Sequence, residues 1–226
     1  MPKKQIKKFL NMDEENKKKL LSFFEKYQLV KYRKGEIILR PEENFPGIIF
    51  VKSGYIKAFR VSKEEREIAL QLFKPIFYFS LINAITNCGN RHYFEAISPV
   101  ELWIAPVRET LDYIKNDEAL SRALLETILC EFVDLTKNIE LLISGDAYGK
   151  VAGLIYYLAK RFGEESDDTT QIKFRITHRL IASLTGLTRE TVTLQMIKLE
   201  KEGYLINKNR QVFVEDMAKL KEIAEI

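Results

Sequence analysis

The chain has 226 residues, a formal net charge of +4 and 46% hydrophobic residues. That is enough apolar material for one large or two small packed domains, and 10 Gly and 6 Pro are too few for a fibrous or disordered chain. No apolar run approaches the roughly 18 residues a membrane span needs, and with only Cys88 and Cys130 a disulfide framework or a four-Cys metal cluster is excluded.

His92 and His178 do not stand at zinc-finger spacing from the cysteines, so no metal site is expected. The N-terminus, MPKKQIKKFLNMDEENKKK, is basic but is followed by no apolar signal core, which points to a cytoplasmic protein with no membrane partner. Residues 1–27 read as one or two short helices with Phe9, Leu10, Leu20, Leu21, Phe23 and Phe24 as the apolar positions. From Leu29 to about Pro106 the pattern changes to short Ile-, Val-, Phe- and Tyr-rich runs cut by turn residues: EIILR, IIFVKSG, YIKAFRV, EIALQLF, YFEAI and VELWIAP. Many short strands with turns between them predict an antiparallel sandwich or barrel.

After Pro106 the period changes again. Leu125, Ile128, Phe132, Leu135, Ile139 and Leu142 alternate steps of three and four, the a/d seam of a coiled coil. A single helix of about 35 residues, from Val107 to near Ser144, is expected to pair with a second copy of the chain through this seam. Ser144-Gly145-Asp146 interrupts the helix, and AYGKVAGLIYYLAKRFG starts a new one. GEESDDTT (163–170) is polar and reads as an exposed loop.

The informative stretch is 174–214. Thr177 can cap a short helix that ends near Leu184, and Gly186 suits the tight turn that follows. Thr188 then caps a longer helix that stops at Gly203. Leu180, Ile181, Leu184, Leu187, Val192, Met196, Ile197 and Leu199 can close a small core between the two helices. NKNR (207–210) fits a hairpin turn between YLI and VFV, and DMAKLKEIAEI a final helix capped by Asp216. This is a winged helix-turn-helix.

Its second helix opens T-R-E-T-V-T. Arg189 can pair with guanine O6 and N7, and Glu190 can accept from cytosine N4. Thr188, Thr191 and Thr193 suit phosphates or thymine methyls, and Thr177, His178, Arg179, Lys198, Lys208 and Arg210 stand where backbone contacts are needed. Over 171–210 eight Lys and Arg face three Glu, the excess expected of a phosphate-facing surface. Double-stranded DNA is the partner this pattern names. A small-molecule module whose winged domain contacts protein is the alternative. No nucleophile–base pair, phosphate loop or metal cluster suggests an enzyme.

IASLTGLTRETVTLQMIKLEKEGYLI resembles the winged helix-turn-helix of the Crp/Fnr transcription regulators. Lys34-Gly35-Glu36-Ile37-Ile38 and Ile49-Phe50-Val51-Lys52-Ser53-Gly54-Tyr55-Ile56-Lys57 resemble the first strands of that family's β-roll. The resemblance spans essentially the whole chain and implies an α+β fold. An antiparallel β-roll sensor would cover 1–106, a long dimerisation helix 107–144 and a winged helix-turn-helix domain 145–226. It further implies a homodimer on a two-fold symmetric site, an effector held in the roll, and base contacts by Arg189 and Glu190. A hinge is implied at Ser144, Gly145 and Asp146, and an RNA polymerase contact near Gly163–Thr170, here acidic with Glu164, Glu165, Asp167 and Asp168. Two departures stand out. Leu194 occupies a position where the family's G-C reader often has a second Arg, leaving it to touch a thymine methyl or simply to pack. The Gly-Glu-x-x-Leu phosphate cassette of cyclic-nucleotide members is absent from 73–97, where Arg91 is the nearest cation, so a cyclic nucleotide is disfavoured. Haem held by Cys88 and His92, a thiol switch at Cys88 or Cys130, an apolar pocket lined by Phe73, Phe77, Tyr78, Phe79, Tyr93, Phe94 and Trp103, and the absence of any effector remain open, so the effector is unknown.

Overall fold

The computed structural model describes residues 12–166 and 169–225. Phe9, Leu10, Asp167 and Asp168 lie outside them, as does the side chain of Ser144. The chain divides into two compact units: the chain up to Arg60 with Gln71–Asp134, and Val61–Leu70 with the chain from Leu135 onward.

In the first unit, α1 (Glu14–Phe24) starts at Asp13, whose carboxylate accepts from the Asn16 amide at 2.7 Å. Then come β1 (Gln28–Tyr32), β2 (Ile37–Leu39), β3 (Ile48–Ser53), β4 (Ile56–Val61), β5 (Glu67–Phe73) and β6 (Phe77–Tyr78), with Val61–Leu70, the last residue of β4 and the first four of β5, counted in the second unit. A short α2 (Leu81–Thr86) precedes β7 (Tyr93–Ala96) and β8 (Val100–Ala105). The strands form two four-stranded sheets, ordered β1-β8-β3-β6 and β2-β7-β4-β5, and the pairs β1–β8, β8–β3, β3–β6, β2–β7 and β7–β4 are antiparallel.

Alternation along β3 and β8 divides the core in two. Ile49, Val51 and Leu102 join Ile56, Phe73, Phe79 and Phe94 in one cluster. Ile48, Phe50 and Trp103 point the other way and meet Leu20, Phe24, Leu120 and Leu124 of the helices. Phe24 stacks on Phe50 at 4.5 Å between ring centroids, and Phe79 on Phe94 at 4.6 Å. Gly54 has φ +87, and a Cβ there would collide with the Pro99 carbonyl, so the β3–β4 turn has room for no side chain.

The expected single helix from Val107 to Ser144 is two: α3 (Val107–Lys115) and α4 (Glu118–Ser144). Asp117 breaks it, its carboxylate accepting from the Leu120 amide at 2.9 Å and from Lys19 Nζ at 2.7 Å. An aspartate that gains both a cap and an ion pair by leaving helical geometry outweighs the continuity of the apolar period. The boundary between the two units falls within α4, after Asp134.

In the second unit, α5 (Ala147–Phe162) is capped by Asp146, whose Oδ1 accepts from the Gly149 amide at 2.7 Å. Val151, Ile155, Leu158 and Phe162 on α5 are buried. The described residues of 163–170 are strands rather than a loop: β9 (Gly163–Ser166) pairs with β10 (Thr169–Ile172). Its polarity reflects an edge strand, where charged side chains discourage pairing with another chain. Helices α6 (His178–Thr185) and α7 (Arg189–Lys201) follow, then β11 (Leu205–Lys208), β12 (Gln211–Val214) and α8 (Met217–Ile223). The sheet order is β11-β12-β10-β9, and α5 packs against α6, α7 and α8.

Candidate nucleic-acid interface

Each element of the helix-turn-helix is fixed by a local polar contact. Thr177 Oγ1 accepts from the Leu180 amide and Thr188 Oγ1 from the Thr191 amide, both at 3.1 Å. Between them Gly186 takes φ +71, a left-handed conformation that closes α6 and turns the chain into α7. Leu180, Ile181, Val192, Met196 and Leu199 are buried as the spacing predicts, while Leu184 and Leu187 are half-buried. Ile197 corrects that reading: it is 42% exposed, because it lies on the face of α7 opposite the core. Leu194 does not pack either, being 66% exposed.

Arg189 and Glu190 are exposed in the first turn of α7, with Thr191 half-exposed beside them. Thr193 Oγ1 donates to the Arg189 carbonyl at 2.8 Å and lies 2.8 Å from His178 Nδ1. Since the hydroxyl proton goes to the carbonyl, Nδ1 carries the hydrogen that reaches Thr193, and Nε2 is the unprotonated nitrogen of the neutral ring. Burial, helped by the Arg189 guanidinium and opposed by Glu200, lowers the His178 pKa, so the imidazole is neutral at pH 7. Thr193 is thus a brace between the two helices.

Other expected backbone contacts take varied positions. Arg179 is exposed, 3.6 Å from Glu67 of the β4–β5 segment in the same unit. Lys198 Nζ sits 3.7 Å from the centre of the Tyr148 ring, whose hydroxyl donates to Glu202. No local pattern signals this Tyr148–Glu202 tie between the first turn of α5 and the end of α7, since the partners are 54 positions apart. Lys208, Asn209 and Arg210 are exposed at the wing tip. Asn209 and Arg210 both have positive φ, 54 and 65, as a two-residue type I′ turn requires.

On the seam of α4, Leu125, Ile128, Phe132, Leu135, Ile139 and Leu142 are all exposed, Phe132 by 63%. Leu129, Val133 and Ile143 widen the apolar face. Cys130 on the same helix is half-buried. Its thiol is pushed up by burial and by Asp134, Glu131 and Glu126, which disfavours the reactive thiolate.

The roll offers little to an anion. Phe73, Phe79 and Phe94 fill its interior with rings in mutual contact. The Ser80 hydroxyl is consumed, accepting from the Ile49 amide and donating to the Gly47 carbonyl. Arg91 is exposed. Tyr78 carries a buried hydroxyl without a hydrogen-bond partner, and burial, then Glu131, hold it protonated. These are rings and a neutral donor, not a phosphate clamp. Cys88 is exposed, and His92 is lowered by burial and by Arg60 and Arg91. Among the described residues no group of three or more His, Cys, Asp or Glu is placed to hold a metal ion, and no helix is long and apolar enough to cross a membrane.

Two family models match this architecture, a cyclic nucleotide-binding domain over residues 29–117 and a Crp-like helix-turn-helix domain over 149–223. The chain belongs to the Crp/Fnr family. It is a Crp/Fnr-type transcription regulator with a helix-turn-helix DNA-binding domain. It is 27% identical over 170 residues to the global nitrogen regulator of Synechocystis sp., covering 72% of this chain and 75% of that one. It is 24% identical to the CRP-like cAMP-activated global transcriptional regulator of Mycobacterium tuberculosis, over 85% and 86% of the two chains. Among solved structures, a mutant of CooA from Carboxydothermus hydrogenoformans superposes with a TM-score of 0.74 at 20% identity, covering 95% and 98%. A CRP-family regulator from Thermus thermophilus gives 0.72 at 19%, covering 87% and 97%.

Proposed function

We propose that this Crp/Fnr regulator works as a homodimer that reads a palindromic site through the major groove, under control of an effector other than a cyclic nucleotide. The observation that carries the reading is the first turn of α7, where a Thr188 cap presents Arg189 and Glu190 side by side in solvent. Arg to guanine and Glu to cytosine is a pairing that a groove, and little else, rewards. Thr177, His178, Arg179, Thr188, Thr191, Lys208 and Arg210 supply the surrounding backbone contacts, with Thr193 and Lys198 as braces. Arg210 supports this from the wing. A non-Gly residue in left-handed geometry costs roughly 1–2 kcal/mol, and Arg where Gly would suit the turn retains a cation at the tip.

The exposed apolar face of α4 supports pairing. Six seam residues left in water along one helix are the signature of a face covered by a second copy. A dimer needs its two recognition helices about 34–36 Å apart to enter successive major grooves. The Ser144–Asp146 break is the place where an effector can change that spacing, acting through its differential affinity for two arrangements. The exposed Glu164 and Glu165 on β9 are offered as the RNA polymerase contact. Selection of bound duplexes from a random pool by the purified protein tests the reading. A symmetric half-site repeat is expected, with binding that weakens steeply as salt rises. A pool recovered without sequence enrichment, with the protein sedimenting as a monomer, overturns it.

A further inference from the structure

Recognition helix α7 carries an apolar stripe that its fold does not use. Glu190, Leu194, Ile197 and Lys201 are spaced i, i+4, i+7 and i+11, so they share one face of the helix. All four are exposed, Leu194 by 66% and Ile197 by 42%. The opposite face, Val192, Met196 and Leu199, closes the core. The helix is therefore apolar on both sides, which a helix packed on one face alone does not need.

We infer that Leu194 is a specificity-determining residue that reads the C5-methyl of a thymine, one helical turn beyond Glu190, with Ile197 flanking it. This rests on the proposal that α7 enters the major groove. Two observations favour a methyl over other occupants. The stripe is continuous with the Glu190 position, which the proposal places on a base edge, and Lys201 at its far end supplies a cation for the phosphate backbone. The neighbouring Thr193 has its hydroxyl committed to the Arg189 carbonyl and to His178. The second turn therefore offers the groove aliphatic groups. In the major groove thymine is the base that presents a methyl, and an apolar side chain distinguishes it from cytosine without hydrogen bonding.

The test takes the selected operator and replaces each thymine of one half-site, singly, by deoxyuridine, which removes only the C5-methyl. At one thymine the affinity of the wild-type protein is expected to fall about fourfold, the transfer free energy of one buried methyl group. Leu194→Ala, an exposed substitution that leaves the core intact, is expected to bind the thymine and deoxyuridine duplexes alike. Replacing that A·T pair by G·C with 5-methylcytosine in the thymine strand should bind more tightly than the same duplex with plain cytosine, for the wild type only. If no deoxyuridine substitution weakens binding while Arg189→Ala still relaxes sequence preference, the Leu194 assignment is wrong and groove reading by α7 stands. The assignment is equally overturned if Leu194→Ala keeps the thymine preference, as it would were the stripe a surface for another protein. If Arg189→Ala also changes nothing, the groove reading itself fails.

Discussion

The two units are ordered by different physics. In the first, helix, strands and connecting segments meet through packed rings: Phe24 on Phe50, Phe50 against Trp103, and Phe73, Phe79 and Phe94 together. In the second, Asp146, Thr177, Thr188 and Asp216 each cap a helix by accepting from an amide three residues on. Non-local packing makes one unit and short-range polar contacts frame the other. A substitution in the first unit should therefore cost stability through a cavity, and one in the second through the aim of a few side chains.

The largest expected effect lies on α4, which runs through both. Phe132→Glu puts a charge on the exposed seam, and sedimentation is expected to show monomers, with operator affinity falling by orders of magnitude as one half-site is lost. A dimer that persists would remove α4 as the pairing element. Phe50→Ala, at a fully buried ring, is expected to destabilise the roll by about 3–5 kcal/mol in urea unfolding. Arg189→Ala should leave stability alone and weaken operator binding by about 1–3 kcal/mol, relaxing one base position, as competition binding would show. Thr188→Ala tests the caps: about 1 kcal/mol of stability should go.

The smallest effect is a pH dependence. The His178 pKa is lowered in the folded chain, so the unfolded chain takes up its proton first as pH falls. The contribution of neutral His178 is present above the unfolded value, near 6.5, and is lost as pH drops through the lower folded value. Relative to His178→Gln, the wild type should lose stability on acidification from pH 7 to 5. Operator affinity should move the other way, because the proton added at Nε2 gives the ring a positive charge that attracts the phosphate backbone. Parallel pH curves for the two proteins would remove the Thr193–His178 brace.

How far the sequence can be read follows the same division. The helix-turn-helix is legible nearly residue by residue, since Thr177, Gly186 and Thr188 act on neighbours within four positions. The strand runs are legible too, but not the pairing of β1 with β8 or β3 with β6. The break in the helix at 107–144 is not legible, because its signal, Asp117, depends partly on Lys19, 98 positions away. The pairing of β9 with β10 is hidden because an edge strand follows the polarity of a loop. Within the site, Arg189 and Glu190 stand out from their place after a cap. The commitment of Thr193 to His178 and of Lys198 to Tyr148 is not visible in the chain order.

The sequence by itself determined where helices start, where the chain turns and which residues reach solvent at the head of α7, because caps, glycines and apolar spacing act over one or two turns. Tertiary structure decided which polar groups remain free for a partner. A hydroxyl, ammonium or imidazole is equally able to bind phosphate or a neighbouring element, and only the folded arrangement shows which of the two it meets. It also decided that Leu194 and Ile197 stand in water, since a helix with two apolar faces can bury either until its neighbours are in place.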